Sequence, residues 1–283
     1  RIDRQSPQDF ARWGRALSVA LGLPLELNHR PVLPRSQGLT LISRRDYGAE
    51  VQAPTAILRF ALPRWPLWAR LTTRGPRFEA GDLIGILPKG SDLPRFYSLA
   101  SSSRDGFAEI CVRKHPGGLC SGQLMELRPG GTVRAFIRRN PGFRPARGRR
   151  PVILIGAGTG IGPLAGFARA NRARRPIHLY FGARHPQSDL LYDGELEAWQ
   201  QDGRLAALTT AFSRSAERAH VQDALRRDAA QLARLIASGA QVMVCGGREM
   251  AAGVSAALTE ILAPTGLTPA TLKAERRYAE DVY

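Results

Sequence analysis

The chain has 283 residues and a mass of 30.9 kDa, a length typical of about two domains. Its 43% hydrophobic and 23% charged residues are those of a globular protein, which excludes a disordered, collagenous or coiled-coil chain. The net charge of +17 is unevenly distributed, because residues 1–150 hold 26 basic and 11 acidic residues whereas residues 151–283 hold 15 and 13. This asymmetry predicts an anionic partner for the first half of the chain.

The three cysteines, Cys111, Cys120 and Cys245, lack the spacing of a zinc site or of a disulfide framework, which favours a reducing compartment and no metal. The longest uncharged run, 151–168, contains five glycines and two prolines, and it therefore predicts a strand and a turn rather than a membrane span. We expect a cytoplasmic protein, or the cytoplasmic portion of a membrane-anchored parent. The chain begins with Arg1 rather than Met, so we expect a piece of a longer polypeptide.

Residues 1–36 differ in character from the rest of the chain. Ser6-Pro7 resembles a helix start, and helical spacing relates the apolar residues Phe10, Trp13, Leu17, Ala20 and Leu21. A proline-rich stretch without periodicity follows and predicts a stiff linker. This region is either the end of an upstream module with its tether or a helix that packs on the next domain.

Residues 37–148 contain short β-runs separated by Gly and Pro, with one helix candidate at 121–127. The runs begin at Leu39, Thr55, Leu67, Asp82, Arg95, Phe107 and Thr132. Strands at this spacing without intervening helices predict an antiparallel barrel or sandwich.

Residues 149–283 alternate between apolar strands and helices, which predicts a doubly wound parallel sheet. The strands begin at Pro151, Ile177, Ala207 and Gln241, and the helices are predicted at 163–174, 193–202, 221–238 and 248–263.

A glycine-rich turn at 156–163 lies between a strand and a helix, where backbone amides and the helix N-terminus favour a phosphate. It departs from the GxGxxG dinucleotide motif at Ile161, so a tight strand–helix connection without a ligand remains an alternative. The second strand ends at Arg184 rather than at an acid, and Ser213, Arg214 and Arg218 follow the third strand. Arginine forks suit a 2′-phosphate, which favours NADP(H) over NAD(H), with solvated surface arginines as the alternative.

A further signal comes from the barrel region, in the segments 95–102 and 111–122. Arg95 is suited to a pyrophosphate, and Tyr97 offers a flat face to an aromatic ring, although an aromatic residue in a strand more often belongs to the core. Gly117-Gly118 precedes the predicted helix, whose amides and Ser121 hydroxyl would donate to a phosphate.

Eight motifs occur in order and together carry a family resemblance. They are RFYSLASS, GGLCSG, GAGTGIGPLAGF, FGARHPQSDLLYDGEL, AFSR, VQDAL, VMVCGG and RRYAEDVY. On these motifs, residues from about 39 to 283 resemble the ferredoxin–NADP reductase superfamily. The resemblance is closest to the FAD/NADPH module of diflavin reductases, of the sulfite reductase flavoprotein and NADPH–haemoprotein reductase type. The large connecting domain of those enzymes is replaced here by a short loop at 89–93.

The resemblance implies an antiparallel FAD-binding barrel followed by an NADP(H)-binding parallel-sheet domain. It assigns FAD binding to Arg95, Phe96, Tyr97, Ser98, Cys111, Val112, Arg113, Gly118, Leu119, Cys120 and Ser121. It assigns NADP(H) binding to Thr159, Ser213, Arg214, Arg218 and Gln222. Ser98, Cys245 and Asp281 would surround the site of hydride transfer, and Tyr283 would stack on the flavin and move aside for the nicotinamide.

The expected function is therefore that of an NADPH-dependent flavoprotein reductase, in which hydride passes from NADPH to FAD and single electrons then pass to an acceptor. The expected acceptor is an acidic flavodoxin-like FMN domain of the same parent chain, so FMN would belong to the partner, and the arginine run 134–150 would be its docking face. A ferric-siderophore or ferredoxin-type reductase is the alternative within this chemistry. Nucleic-acid binding through the same run is disfavoured, because only Phe136 and Phe143 interleave its arginines. A flavoprotein sensor without turnover is disfavoured by Cys245 and Asp281.

Overall fold

A computed structural model describes residues 7–24, 34–62 and 77–283. The chain divides into two compact units, 1–36 and 37–283. In the first unit, helix α1 spans Pro7–Leu21, which confirms the helix predicted from the apolar spacing. Ser6 and most of the predicted linker lie outside the described residues.

The first half of the second unit is a six-stranded antiparallel sheet in the order β4-β3-β6-β1-β2-β5. Its strands are β1 Gln37–Tyr47, β2 Thr55–Ala61, β3 Leu83–Leu87, β4 Arg95–Ser98, β5 Phe107–Arg113 and β6 Thr132–Arg138. The edge strands β4 and β5 meet through a bridge between Leu99 and Ile110, so the sheet closes into the expected barrel. The strand predicted to begin at Leu67 lies outside the described residues.

The barrel core contains the inward-facing residues of these strands together with one face of helix α2, Leu119–Glu126. This helix begins two residues earlier than its predicted start. Close packing at the core depends on Gly85, because a Cβ at this position would lie 2.5 Å from the Phe136 ring.

The second half of the unit is a five-stranded parallel sheet in the order β11-β10-β7-β8-β9. Its strands are β7 Val152–Ala157, β8 Ile177–Ala183, β9 Ala207–Phe212, β10 Gln241–Gly246 and β11 Tyr278–Val282. The chain adds β8 and β9 on one side of β7 and then returns to add β10 and β11 on the other. The strand order therefore reverses between β7 and β10, and the crevice at the carboxyl ends of these two strands is where open α/β sheets bind ligands.

Helices lie between the strands, and two apolar clusters form the core of this domain. The helices are α3 Ile161–Ala170, α4 Asp193–Gln201, α5 Val221–Arg227, α6 Ala229–Ala237, α7 Arg248–Leu262 and α8 Pro269–Ala274. The single helix predicted at 221–238 is wrong, because the chain leaves helical geometry at Asp228, where φ is −98° and ψ is 22°. The Asp228 carboxylate there accepts a hydrogen bond of 2.9 Å from the Tyr180 hydroxyl.

Within the described ranges, none of the helices combines the length and the apolar character that a membrane crossing requires.

Candidate active site

The glycine-rich turn after β7 occupies the crevice where the strand order reverses. Gly158 has a φ of +55°, and a Cβ on Gly160 would lie only 2.1 Å from the carbonyl oxygen of Cys245. Glycine is therefore required for the turn to pack directly on β10. The result is that the N-terminus of α3, with its partial positive charge, begins beside the carboxyl end of β10.

Ser98, at the end of barrel strand β4, reaches the parallel sheet. Its hydroxyl donates a short hydrogen bond to the carboxylate of Asp281 on β11. Asp281 pairs in register with Cys245 on β10, and Cys245 is fully buried. The structure thus brings Ser98 close to Asp281 and Cys245, which lie 183 and about 150 positions further along the sequence.

Tyr283, the last residue, lies against the same crevice. Its backbone N–H donates to the carbonyl of Gly246 at 3.2 Å, and its hydroxyl lies 2.6 Å from Oγ1 of Thr159. The side chain is 48% exposed, while the pKa of its hydroxyl is raised, chiefly by burial, with further influence from Cys245 and Arg113. The terminal ring therefore covers the crevice with its hydroxyl end inside and part of its surface in solvent.

Three arginines converge beside the glycine-rich turn. Nη1 of Arg184 and Nη1 of Arg214 each donate to the same acceptor, the carbonyl of Val51, at 3.0 Å. The guanidinium of Arg113 lies over Gly158, and its buried Nε has no hydrogen-bond partner among the described residues. Burial lowers the pKa of Arg184, and the charges of Arg113 and Arg214 lower it further. Like charges held this close favour an anion between them.

The other residues predicted to bind NADP(H) are divided between two places. The backbone amides of Ser213 and Arg214 donate to the carbonyls of Ala183 and Arg184, which keeps this segment beside the arginine cluster. Arg218 is exposed on the turn that follows. Gln222 packs against Gly253 of α7, where a Cβ would lie 3.3 Å from its amide carbon.

Strand β4 supplies the residues predicted to hold the flavin. Tyr97 is half-buried, hydrogen-bonds to the Cys120 thiol, and has its pKa raised by burial. Phe96 is exposed, with its ring edge-on to Phe136 at a centroid distance of 5.9 Å. Arg95 is also exposed, so the strand presents a charged and an aromatic side chain to solvent.

Helix α2 begins next to this strand with Gly118 as its N-cap. The Ser121 hydroxyl accepts from the backbone amide of His115 and donates to the carbonyl of Gly118, both at 3.2 Å. It therefore fixes the loop that precedes the helix, and Leu119 stays exposed at its start. Free backbone amides at a helix N-terminus of this kind bind anions.

The segment 111–113, which is predicted to bind FAD, contacts both the barrel core and the parallel-sheet domain. Val112 is fully buried in the barrel core, and Cys111 is buried against Gly162 of α3, within hydrogen-bond distance of the Tyr192 hydroxyl. Burial raises the pKa of Cys111 to about 12. The Arg113 side chain faces the glycine-rich turn, with its guanidinium over Gly158.

One buried network of ion pairs and hydrogen bonds was not predicted from the sequence. Glu109 of β5 is fully buried and accepts from Arg59, from Arg169 of α3 at 2.6 Å, and from the Tyr192 hydroxyl at 3.0 Å. Tyr192 itself is fully buried with a φ of +63°. The network joins the barrel to the parallel-sheet domain behind the crevice. No local sequence pattern indicates this network, because its residues come from four separate segments of the chain.

These residues fit FAD and NADP(H). The orphaned Nε of Arg113, the arginine pair on Val51 and the glycine-rich turn form a cradle for phosphate groups on the nucleotide side. Tyr97, Ser98 and the start of α2 offer an aromatic face, a hydroxyl and helix amides on the barrel side.

Comparison with known proteins agrees with this geometry. Residues 154–256 match the family model of the oxidoreductase NAD-binding domain. The sulfite reductase [NADPH] flavoprotein alpha-component of Klebsiella pneumoniae is 36% identical over 73% of this chain and 38% of its own length. The protein of the same name from Serratia proteamaculans is 33% identical over 95% of this chain and 49% of its own length. The chain thus spans less than half the length of these relatives.

A closed antiparallel barrel joined to a doubly wound nucleotide-binding sheet defines a two-domain pyridine-nucleotide oxidoreductase. The chain resembles the ferredoxin–NADP reductase superfamily, and within it the reductase module of diflavin enzymes.

Proposed function

We propose that the chain is the NADPH-dependent flavoprotein reductase part of an electron-transfer protein, with FAD on the barrel and NADP(H) on the parallel sheet. The observation that carries this proposal is the contact of Ser98, from the barrel, with Asp281, next to Cys245 at the carboxyl edge of the sheet. Two domains with separate nucleotide-binding features are in contact here. The names of the relatives, which are NADPH-linked flavoproteins, support the same reaction class.

When bound, FAD takes a hydride from NADPH and releases the electrons one at a time. The protein supplies position and electrostatics. Ser98 and Asp281 hold a proton between two oxygen atoms at the meeting point of the domains. Cys245, fully buried beside them, fixes the depth to which a ring can enter, because hydride transfer needs its atoms about 3–3.5 Å apart.

Tyr283 would exclude water from this point in the absence of nucleotide. Its hydroxyl is hydrogen-bonded to Oγ1 of Thr159, a residue proposed to contact the nucleotide phosphates. Nucleotide binding would therefore release this hydrogen bond and displace the ring. Besides the contact with Thr159, the described residues give Tyr283 a backbone hydrogen bond to the carbonyl of Gly246, and so few contacts are consistent with such a movement.

Selection of NADP(H) would come from the arginine cluster. Arg184 and Arg214 are held in place by the Val51 carbonyl, and both have donors to spare for a 2′-phosphate. Arg113 over Gly158 would neutralise the pyrophosphate. Arg218 and Gln222 would complete the adenosine side of the site.

The acceptor we propose is an acidic FMN-containing module, and the contacts of the described arginines favour a docking face smaller than the whole run 134–150. Arg144 is ion-paired with Asp82 and Glu79, and Arg139 and Arg147 line a cavity elsewhere. Arg138 lies over the exposed Phe96 ring at 5.3 Å. The docking surface is therefore best assigned to Arg95, Phe96 and Arg138.

The proposal is tested by anaerobic addition of NADPH to the FAD-loaded chain while the visible flavin absorbance is recorded. We expect rapid loss of absorbance with NADPH and a much slower loss with NADH. The R214A variant should lose this preference mainly through a higher KM for NADPH, whereas R128E, an exposed arginine after α2, should keep it. Absence of bleaching by NADPH in a chain that retains FAD would disprove the proposal.

The docking surface is tested separately by supplying the flavodoxin-like module as a second protein. We expect R138E to slow electron transfer and to flatten its salt dependence relative to R128E. An unchanged rate and salt dependence would remove Arg138 from the docking surface without affecting the proposed NADPH reaction.

A further inference from the structure

A cavity lies at the amino ends of the parallel strands, whereas the proposed nucleotide site lies at their carboxyl ends. It has a volume of about 1250 Å³. Its lining includes the first residues of β7 and β8, Val152 and Ile177, and the C-terminal end of α3. Phe78 and Phe167, both buried, add an apolar floor. Because the proposed NADP(H) site is at the carboxyl ends of the strands, this cavity at their amino ends is physically separate from it.

The cavity is strongly basic. Six arginines and two acidic residues contribute to its lining; the arginines are Arg77, Arg104, Arg139, Arg144, Arg147 and Arg175. Arg144 uses both acids, since it is ion-paired with Asp82 and with Glu79, the latter at 3.0 Å. Its buried Nε still lacks a hydrogen-bond partner among the described residues. Across those same residues, the other five guanidinium groups have no carboxylate within ion-pairing distance.

Arg175 is a partly buried guanidinium of the cavity whose described hydrogen-bond partners are backbone carbonyls. Its guanidinium donates to the backbone carbonyls of Arg150 and Ala146 rather than to an acid. Burial lowers its pKa, so the charged form is held at an energetic disadvantage. An anion in the cavity would reverse this disadvantage.

We propose that this cavity binds a small molecule that carries two or more phosphate groups on a carbon body. Guanidinium forks match phosphate oxygens in pairs, and they come here from five separate segments around a space too wide for one phosphate to contact them all. The buried apolar floor accommodates the carbon body between the phosphates. This site does not depend on the proposed reductase activity.

The experiment is a calorimetric titration of the FAD-loaded full chain with inorganic tripolyphosphate as the probe, in the presence of saturating 2′,5′-ADP to block the proposed NADP(H) site. We expect one molecule to bind per chain. The double variant R139E/R147E should bind at least about tenfold more weakly, as expected for loss of charge-assisted hydrogen bonds, and R128E should bind like the unmodified chain. Flavin reduction by NADPH should be equal in all three, which shows that the variants are folded.

Three results would overturn the proposal. They are absence of tripolyphosphate binding to the unmodified chain, equal binding by R139E/R147E, and tighter binding of a short single-stranded DNA than of tripolyphosphate to the same arginines. The last result would identify the cavity as part of a nucleic-acid surface instead.

Discussion

The hydroxyl of Tyr283 lies 2.6 Å from Oγ1 of Thr159, so the last residue of the chain is tied to the glycine-rich turn. The turn is fixed by its packing on β10, whereas Tyr283 follows the end of β11. The hydrogen bond thus joins a rigid element to a terminal one. Because we propose that Thr159 contacts a nucleotide phosphate, the phenol and the phosphate would compete for its single hydroxyl.

Replacing Tyr283 with phenylalanine should tighten NADP⁺ binding. A neutral hydrogen bond contributes about 0.5–1.5 kcal/mol net, so its loss in Y283F should lower the Kd by about 2- to 10-fold. The measurement is a titration of NADP⁺ into the FAD-loaded chain. Y278F, which changes a buried tyrosine at the start of β11, serves as the control and should leave the Kd unchanged. A Kd for Y283F equal to or above that of the unmodified chain would contradict the competition.

Asp281 should be required for the rate of flavin reduction rather than for nucleotide binding. D281N keeps the shape of the side chain but removes the charge that holds the Ser98 hydroxyl. We expect stopped-flow reduction by NADPH to slow on the order of 100-fold, with little change in the Kd for NADP⁺. E280Q is the matched control, because Glu280 precedes Asp281 and pairs at 3.0 Å with Lys273 on the surface. Equal rates for D281N and E280Q would show that the Ser98–Asp281 contact is only structural.

Glu109 should be one of the most sensitive positions for stability. E109Q leaves the buried charge of Arg169 and the hydroxyl of Tyr192 without their anionic partner. Breaking a buried ion pair from one side lowers the free energy of unfolding by about 3–5 kcal/mol. Urea denaturation followed by circular dichroism measures this. E260Q, at an exposed ion pair with Arg226, should change the midpoint little, and a comparable loss in both variants would rule out a special role for the buried network.

Local sequence patterns predicted most strands but not the contacts between distant segments. The apolar run before Gly156 and the β-runs of the barrel have the periods of buried and half-buried strands, which is why they were recognisable. Strand β11 was missed because its sequence, YAEDV, has two adjacent acidic residues at its centre and therefore no apolar run. The hydrogen bonds from Arg184 and Arg214 to Val51 depend on a backbone carbonyl, which every residue possesses, and therefore leave no trace in the sequence.

The proximity of Ser98 and Asp281 was inferred from the family resemblance and not from the residues alone. A serine at the end of one strand and an aspartate 183 positions later have no shared pattern. The structure supplies the missing step, because β4 lies at the edge of the barrel and β11 at the edge of the parallel sheet. The guanidinium of Arg113, a residue predicted to bind FAD, lies over Gly158 of the glycine-rich turn, and no local sequence pattern indicates this proximity.

Cys111 should make stability depend on pH in the alkaline range. Its ordinary pKa of 9.0 applies in the unfolded chain, and burial raises the pKa in the folded chain to about 12. Between these values the folded state keeps a proton that the unfolded state has lost. The resulting stabilisation is fully present below about pH 9 and is lost progressively as the pH rises towards 12. The free energy of unfolding of C111A should therefore fall less steeply with rising pH than that of the unmodified chain, by up to about 1.4 kcal/mol per pH unit. Urea midpoints from pH 8 to 11 measure the slope, and parallel slopes for C111A and the unmodified chain would show that the Cys111 proton does not contribute.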